Sequence, residues 1–178
     1  MFRNPIRRGW ISALVGLLLV AGCAQKPATP PSDAPAPPPA AAKPAAAMSA
    51  FENAIVAAIN TIRQKNGLPP LKGNSLLAGI ARGHSRAMTE QNFFSHNDPR
   101  GAGMEQRLKS ASVAFRLAAE NLARNTNVAD PIKTAVDGWM NSPGHRHNIL
   151  TVEFNETGVG IWQQGKSYYF TQLFIRSK

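Results

Sequence analysis

The segment WMNSPGHRHNIL, which runs from Trp139 to Leu150, decides how this chain is interpreted. Two histidines, His145 and His147, follow a Ser-Pro-Gly turn that comes directly after an apolar pattern with helical spacing. Binding groups collect in loops beside rigid helices, and a Pro-Gly pair also ends a helix. The segment therefore predicts a helix that ends at Pro143 and Gly144, a turn after it, and a candidate site at His145.

Three further helices are predicted on the N-terminal side of this segment, besides the one that Asp130 and Pro131 begin. Ser49 and Glu52 have the spacing of a capping box, and Phe51 heads the apolar face of the helix that follows and closes at Gly67. The predicted helices are one from Ser49, one from Asn74 to about Phe93, one over about Met104 to Lys109 and one from Asp130.

The apolar period changes from helical to alternating after Leu150. The stretches TGVGIW and YYFTQLFI alternate as strands do, and QQGKS between them contains the glycine of a hairpin. Helices come first and strands last. This order predicts an α+β fold in which helices pack against a small antiparallel sheet.

The first 48 residues have the composition of export and tethering segments. Residues 1–22 combine three arginines with a short apolar run, which is typical of a secretory signal peptide. The LVAGC stretch resembles a bacterial lipobox, so Cys23 is expected to be acylated. Residues 23–48 are rich in proline and alanine and predict an extended tether, which leaves residues 49–178 as the folded domain.

The predicted location is the bacterial cell envelope, with a membrane as partner through lipidated Cys23. A single cysteine allows no internal disulfide, and acylation is the use that agrees with the signal. Ala24 stands where many inner-membrane lipoproteins carry aspartate, so by that resemblance the outer membrane is expected.

The predicted domain is basic. From Ser49 onward there are 15 lysines and arginines against nine acids, a net charge of 15 − 9 = +6. Outside the cytoplasm such a surface meets anionic envelope polymer or lipid, or it serves only solubility. No nucleic-acid-binding motif is present, so nucleic acid is not an expected partner.

Polar residues with metal-binding or catalytic chemistry stand at three places: His96 after FFS, Glu120 within AENLA, and His145. Two imidazoles and a carboxylate that converge could hold a zinc-like cation. The alternative is structural, with the imidazoles satisfied by backbone carbonyls and Glu120 pinning a loop. His84 lies on a helical face and is expected in the core, and His147 is expected to point elsewhere.

The motifs FFSHNDPRG, AENLA, WMNSPGHRHNIL, TGVGIW and YYFTQLF, in this order, resemble the CAP superfamily, also called SCP/PR1-like, in its short bacterial branch. The resemblance covers roughly residues 51–176. It implies an α-β-α sandwich with a cleft on one side. In many members the cleft carries two histidines and two acids, and the matching positions here are His96, Glu120 and His145.

The second acid of the resemblance has no match, because Ser142 occupies its position. Asp98 and Glu156 are the nearest candidates to replace it. We therefore expect weakly bound zinc or a similar divalent cation on His96 and His145, with Ser142 as a further ligand-binding residue.

Two functions fit these residues, besides a purely structural domain that touches the envelope through its basic face. The first is an envelope-anchored binding module whose cleft takes a cation, a lipid or a wall-derived ligand. The second is a metal-assisted hydrolase, a peptidase or wall-degrading enzyme, with His96, Glu120 and His145 as its catalytic residues. The missing acid and the absence of an HExxH motif favour the binding module.

Overall fold

A computed structural model of the protein describes residues 49–178. The predicted signal peptide, the acylation of Cys23 and the tether over residues 23–48 lie outside the described residues. The helices are α1 Ala50–Lys65, α2 Ser75–Glu90, α3 Met104–Ser110, α4 Pro131–Asn141 and α5 Pro143–Leu150. The strands are β1 Lys72–Gly73, β2 Phe115–Thr126, β3 Glu156–Gln164 and β4 Ser167–Ser177.

The four strands form one sheet in the order β1-β3-β4-β2. β3 and β4 make the predicted antiparallel hairpin, and β4 also pairs antiparallel with β2. The prediction of an antiparallel sheet needs one correction, because the two-residue β1 runs parallel to β3. β2 was not predicted, and it lies at an edge of the sheet.

Helices cover both faces of the sheet, as the α-β-α sandwich requires. Phe170 and Phe174 of β4 belong to a core with α1, α4 and α5, in which Trp139 is 1% exposed. Leu173 and Ile175 point to the opposite face, because side chains alternate along a strand, and they pack with α2 and α3. The two cores are therefore separated by the sheet.

Two glycines of β3 let α2 lie directly against the sheet. A Cβ at Gly158 would collide with Leu77 and the backbone of Ala78, and one at Gly160 would collide with the backbone of Ala81 and Arg82. Any larger residue would push α2 away from β3. The close approach places the C-terminal half of α2 beside β2 and β4.

The helix caps match the predictions from the sequence, whereas the exposure of Phe51 and the end of α2 differ from them. Ser49 and Glu52 form the capping box of α1, and the Asn74 side chain accepts from two N–H groups of α2. Phe51, however, is 60% exposed, because it lies in the first turn of α1 beyond the reach of the core. α2 ends at Glu90 rather than near Phe93, with Asn92 in the left-handed region at φ 52°.

Arg63 of α1 is fully buried, yet its guanidinium group contacts no carboxylate within residues 49–178. Its Nη1 donates to the carbonyls of Ile149 at 2.7 Å and Thr151 at 2.8 Å. Its Nε donates to Pro69 O at 3.0 Å, and its Nη2 to Phe154 O at 3.4 Å. Burial lowers the pKa of this arginine. One side chain thus binds α1 to the C-terminal end of α5.

Between residues 49 and 178, no helix combines the length and the apolarity that crossing a bilayer requires.

Candidate functional site

Glu120 lies in the middle of β2, not in a loop as was expected. It pairs across the sheet with Leu173, so its side chain points to the face that α2 and α3 cover. The side chain is only 3% exposed. A carboxylate this deeply buried needs partners, and its two oxygens have different ones.

The partners of Glu120 are His96 and Arg107. His96 Nδ1 lies 2.8 Å from Glu120 Oε1, and Arg107 Nη2 donates to Glu120 Oε2 at 2.6 Å. Arg107 Nη1 also donates to the backbone carbonyls of His96 at 3.0 Å and Ala102 at 3.2 Å. Arg107 therefore holds both the carboxylate and the segment that carries the histidine.

The hydrogen bond to Glu120 orients the His96 ring. Because an ionised carboxylate only accepts hydrogen bonds, Nδ1 carries the donated proton, and the neutral form of the ring has its lone pair on Nε2. The His96 side chain is 56% exposed, while Glu120 beneath it is buried. The ring thus offers one nitrogen to solvent as a metal ligand, a hydrogen-bond acceptor or a base.

His145 lies in the first turn of α5, where a turn was predicted. The preceding helix α4 ends at Asn141 with Ser142 as its C-cap, close to the predicted end, but Pro143 begins a second helix directly after it. Residues 146–150, predicted as a turn, continue α5. Burial lowers the pKa of His145, and the positive charge that His96 can carry lowers it further. The two rings are therefore close enough to interact electrostatically.

An asparagine pair fixes α5 on β2. Asn121 Nδ2 donates to the carbonyl of His145 at 3.1 Å, and Asn148 Nδ2 donates to Asn121 Oδ1 at 2.9 Å. Asn121 is fully buried on the face opposite to Glu120. The Glu-Asn pair in β2 therefore serves two purposes, since Glu120 binds His96 while Asn121 positions the helix that carries His145.

Asp98 and Glu156, the candidates to replace the second acid, form their hydrogen bonds away from His96 and His145. Asp98 Oδ1 accepts from the backbone N–H groups of Arg100 and Ala102, both at 2.9 Å, within its own loop. Glu156 lies at the start of β3 and accepts from Asn74 Nδ2 at 2.6 Å. Ser142 borders the same groove as His145, but it supplies only a hydroxyl group. No second carboxylate joins Glu120 among the described residues.

The donor set for a cation is correspondingly small. Within residues 49–178, no group of three or more histidine, cysteine, aspartate and glutamate side chains could hold a metal ion. Both oxygens of Glu120 already accept hydrogen bonds, and the positive charge of Arg107 balances the negative charge of the carboxylate. His96 and His145 remain as nitrogen ligands, a partial fit to a divalent cation that completes its coordination with water.

The other two histidines have different surroundings, although His84 lies close enough to His96 and Glu120 to be affected by their charges. His84 is buried, and its Nε2 lies 3.0 Å from the carbonyl of Ser95, as expected for a core histidine. Burial lowers the pKa of His84, and the nearby charge of Arg107 adds to the effect. His147 is exposed and lines a different surface depression with Leu117 and Val152.

Sequence reasoning missed Arg107 and Asn121. Arg107 lies in the charged helix MEQRLKS, where nothing distinguishes it from the solvated Lys109 two residues later. Asn121 follows Glu120 directly in the quoted AENLA motif, so a polar residue amid small apolar neighbours was a usable signal.

The profile of the family described as CAP, the cysteine-rich secretory protein family, matches residues 56–174. The chain belongs to the CAP family. The match covers the sheet, most of the helical layers and all three residues His96, Glu120 and His145. The expectations about family and fold class are thereby confirmed.

Bacterial proteins are among the relatives of this CAP domain. The chain is 37% identical over 128 residues to the uncharacterized protein YkwD of Bacillus subtilis (strain 168), covering 72% of this chain and 48% of that protein. It is 39% identical over 125 residues to the uncharacterized membrane protein YlbC of the same strain, covering 70% and 34% respectively. The chain thus spans less than half of either relative.

A solved structure shows the same architecture. An extracellular protein containing a SCP domain from Bacillus anthracis str. Ames superposes with a TM-score of 0.64 at 37% identity. The similarity covers 71% of this chain and 40% of that chain.

Proposed function

We propose that the protein is a cell-envelope-anchored CAP-domain binding module whose ligand contacts His96 and His145 above the buried Glu120. The observation that carries the proposal is the saturation of Glu120 by internal partners. With Arg107 on one oxygen and His96 on the other, the carboxylate orients a histidine rather than activating a water molecule.

The cleft of this module takes a divalent cation weakly, through His96 Nε2 and His145. Both rings are accessible in part, and burial favours the neutral, metal-binding form of His145 by lowering its pKa. Two protein ligands give lower affinity than the three or four of ordinary zinc sites. When bound, the cation would polarise an oxygen of the ligand.

Attachment to the envelope through acylated Cys23, at the outer membrane, completes the proposal. The sequence of residues 1–23 supports it, together with relatives whose names place them outside the cell or in a membrane. The net charge of +6 on residues 49–178 suits anionic polymer or lipid at such a surface.

The test is a zinc titration of the full chain by isothermal titration calorimetry. The wild type should bind Zn²⁺ weakly, His96→Ala and His145→Ala should abolish the heat of binding, and His147→Ala is the matched control. His147 is an exposed histidine of the same helix that lies outside the cleft, so its loss should change nothing. Equal losses in all three variants, or no binding by the wild type, would refute the cation site.

Hydrolysis is the second candidate function, and one observation favours it. The Glu120–His96 hydrogen bond is the carboxylate–imidazole pair that orients a general base in many hydrolases. In that case His96 Nε2 would take a proton from water while Glu120 held the ring. If the protein cleaves a peptide or wall fragment, and this cleavage is lost in His96→Ala and in Glu120→Gln, the protein is a hydrolase rather than a binding module.

A further inference from the structure

A groove runs from the His145 side of the site along the outer edge of β2. Its volume is about 390 Å³, within the range of small-molecule sites. One wall is α4, the opposite wall is Phe94, and the floor is the strand from Leu122 to Asn125. The far end closes where Asn125 Nδ2 donates to the carbonyl of Pro131 at 2.8 Å.

The groove carries one positive charge and no acid. Arg124 is exposed, lines the groove and makes no ion pair within residues 49–178. Its guanidinium carbon lies 5.5 Å from the centre of the Phe94 ring and 5.8 Å from that of Tyr169. Cation–π contacts with the two rings hold the guanidinium group in place, and its exposed N–H groups stay available to a carboxylate.

The edge of β2 also presents main-chain groups to the groove. Trp139 Nε1 donates to the carbonyl of Leu122 at 2.9 Å, so this carbonyl points away from β4. Main-chain groups of alternate residues point to the same side of an antiparallel strand, and those of Arg124 therefore also point away from β4. Within residues 49–178, no helix or loop forms a hydrogen bond with the main-chain groups of Arg124.

The walls leave room for small apolar groups. Gly138 of α4 lines the groove, and a Cβ placed on it would meet no atom within 4 Å. Ala123 and Ala135 also line the groove, and each contributes only a methyl group. Narrow apolar walls, free strand-edge groups and a carboxylate-binding arginine suit an extended peptide of small aliphatic residues better than a sugar chain, whose many hydroxyl groups would need more polar partners.

We propose that this groove binds the C-terminal end of a short peptide of small aliphatic residues, with the terminal carboxylate on Arg124. The inference rests on the proposed function, since the preceding residues of the peptide would reach His145 and His96. It adds the chemical class of the ligand and the direction in which it lies along β2.

The probe is trialanine with a free carboxylate, compared with trialanine amide, in calorimetric titrations of the full chain. The acid should bind at least about tenfold more tightly than the amide, because a charge-assisted bond to Arg124 is lost in the amide. Arg124→Gln should abolish the difference. Arg116→Gln is the matched control, since Arg116 is an exposed arginine of the same strand outside the groove.

A second variant blocks the groove without touching its charge. Gly138→Leu should fill the space and abolish binding, while the exposed helical position tolerates leucine, which forms helices better than glycine. Gly83→Leu is its control on α2, where a Cβ also meets nothing within 4 Å. A cooperative thermal transition at or above the melting temperature of the wild type will show that both variants fold.

The outcomes separate this inference from the proposed function. Arg124→Gln and Gly138→Leu should leave zinc binding intact, and His145→Ala should remove it. If the protein binds zinc but does not prefer trialanine to trialanine amide, the proposed peptide site in the groove is refuted and the proposed cation site is not. Arg124-dependent binding of a uronic-acid oligosaccharide, with none of trialanine, would overturn the peptide in favour of an anionic glycan.

Discussion

Removal of Arg107 tests whether one guanidinium group stabilises the site. Arg107→Ala leaves Glu120, whose side chain is 3% exposed, without its strongest partner. Breaking a buried ion pair from one side costs about 3–5 kcal/mol. Because Arg107 itself keeps 16% exposure, we expect a loss near the lower end, about 3 kcal/mol in the free energy of unfolding.

Urea unfolding followed by tryptophan fluorescence measures this loss. Lys109→Ala is the control on the same helix, because its pair with Glu105 is exposed on both sides and should contribute less than about 0.5 kcal/mol. A double-mutant cycle of Arg107→Ala with Glu120→Gln should give a coupling of at least about 1 kcal/mol.

A second readout of the same variant concerns the cation. Arg107→Ala frees one oxygen of Glu120 and removes a positive charge beside His96, so Zn²⁺ should bind more tightly than in the wild type. A loss below about 1 kcal/mol together with a coupling near zero would refute the reasoning, because Glu120 would then be satisfied without Arg107.

Three other predictions follow from single residues. Trp139→Ala should cost about 3–5 kcal/mol in urea unfolding, because the ring is 1% exposed and Nε1 donates to Leu122 O; a loss below about 1 kcal/mol would contradict its place in the core. Burial lowers the pKa of His84, so the folded state binds its proton less readily than the unfolded chain. Stability should be complete above about pH 6.5 and fall as the pH drops further, less steeply in His84→Gln; parallel pH profiles would contradict this. Cys23→Ser should move the protein out of the membrane fraction, and unchanged fractionation would end the lipoprotein hypothesis.

Amphipathic helices with caps were predictable, whereas elements held by tertiary contacts were not. α1, α2 and α4 combine helical spacing with Ser49, Asn74 and Asp130 as N-caps. β2 was missed because its alanines and polar residues do not alternate, and α5 because little apolar periodicity surrounds Ile149, its one buried residue. These two elements take their structure from the sheet and from side chains distant in sequence.

The candidate site, like the fold, was predictable from the sequence only in part. His96, Glu120 and His145 were singled out by their chemistry and matched by the resemblance. The structure joins Glu120 to His96 by a hydrogen bond, whereas His145 interacts with His96 only through its charge. The charge balance was not predictable, because Arg107 neutralises Glu120 only after α3 packs beside β2. A sequence shows which residues can carry charge, but the pairing of charges depends on the fold.

The buried guanidinium of Arg63 has a consequence for how the domain folds. It joins α1 to carbonyls 86 to 91 residues further along the chain, including that of Ile149 near the end of α5. Contacts this distant in sequence close long loops, which slows the folding of a small domain. The helix that carries His145 should therefore become protected from hydrogen exchange only when the whole domain has closed. A nascent chain that ends before residue 149 would lack these acceptors for Arg63, so α1 and α5 cannot be joined in this way until the segment up to Phe154 has been synthesised.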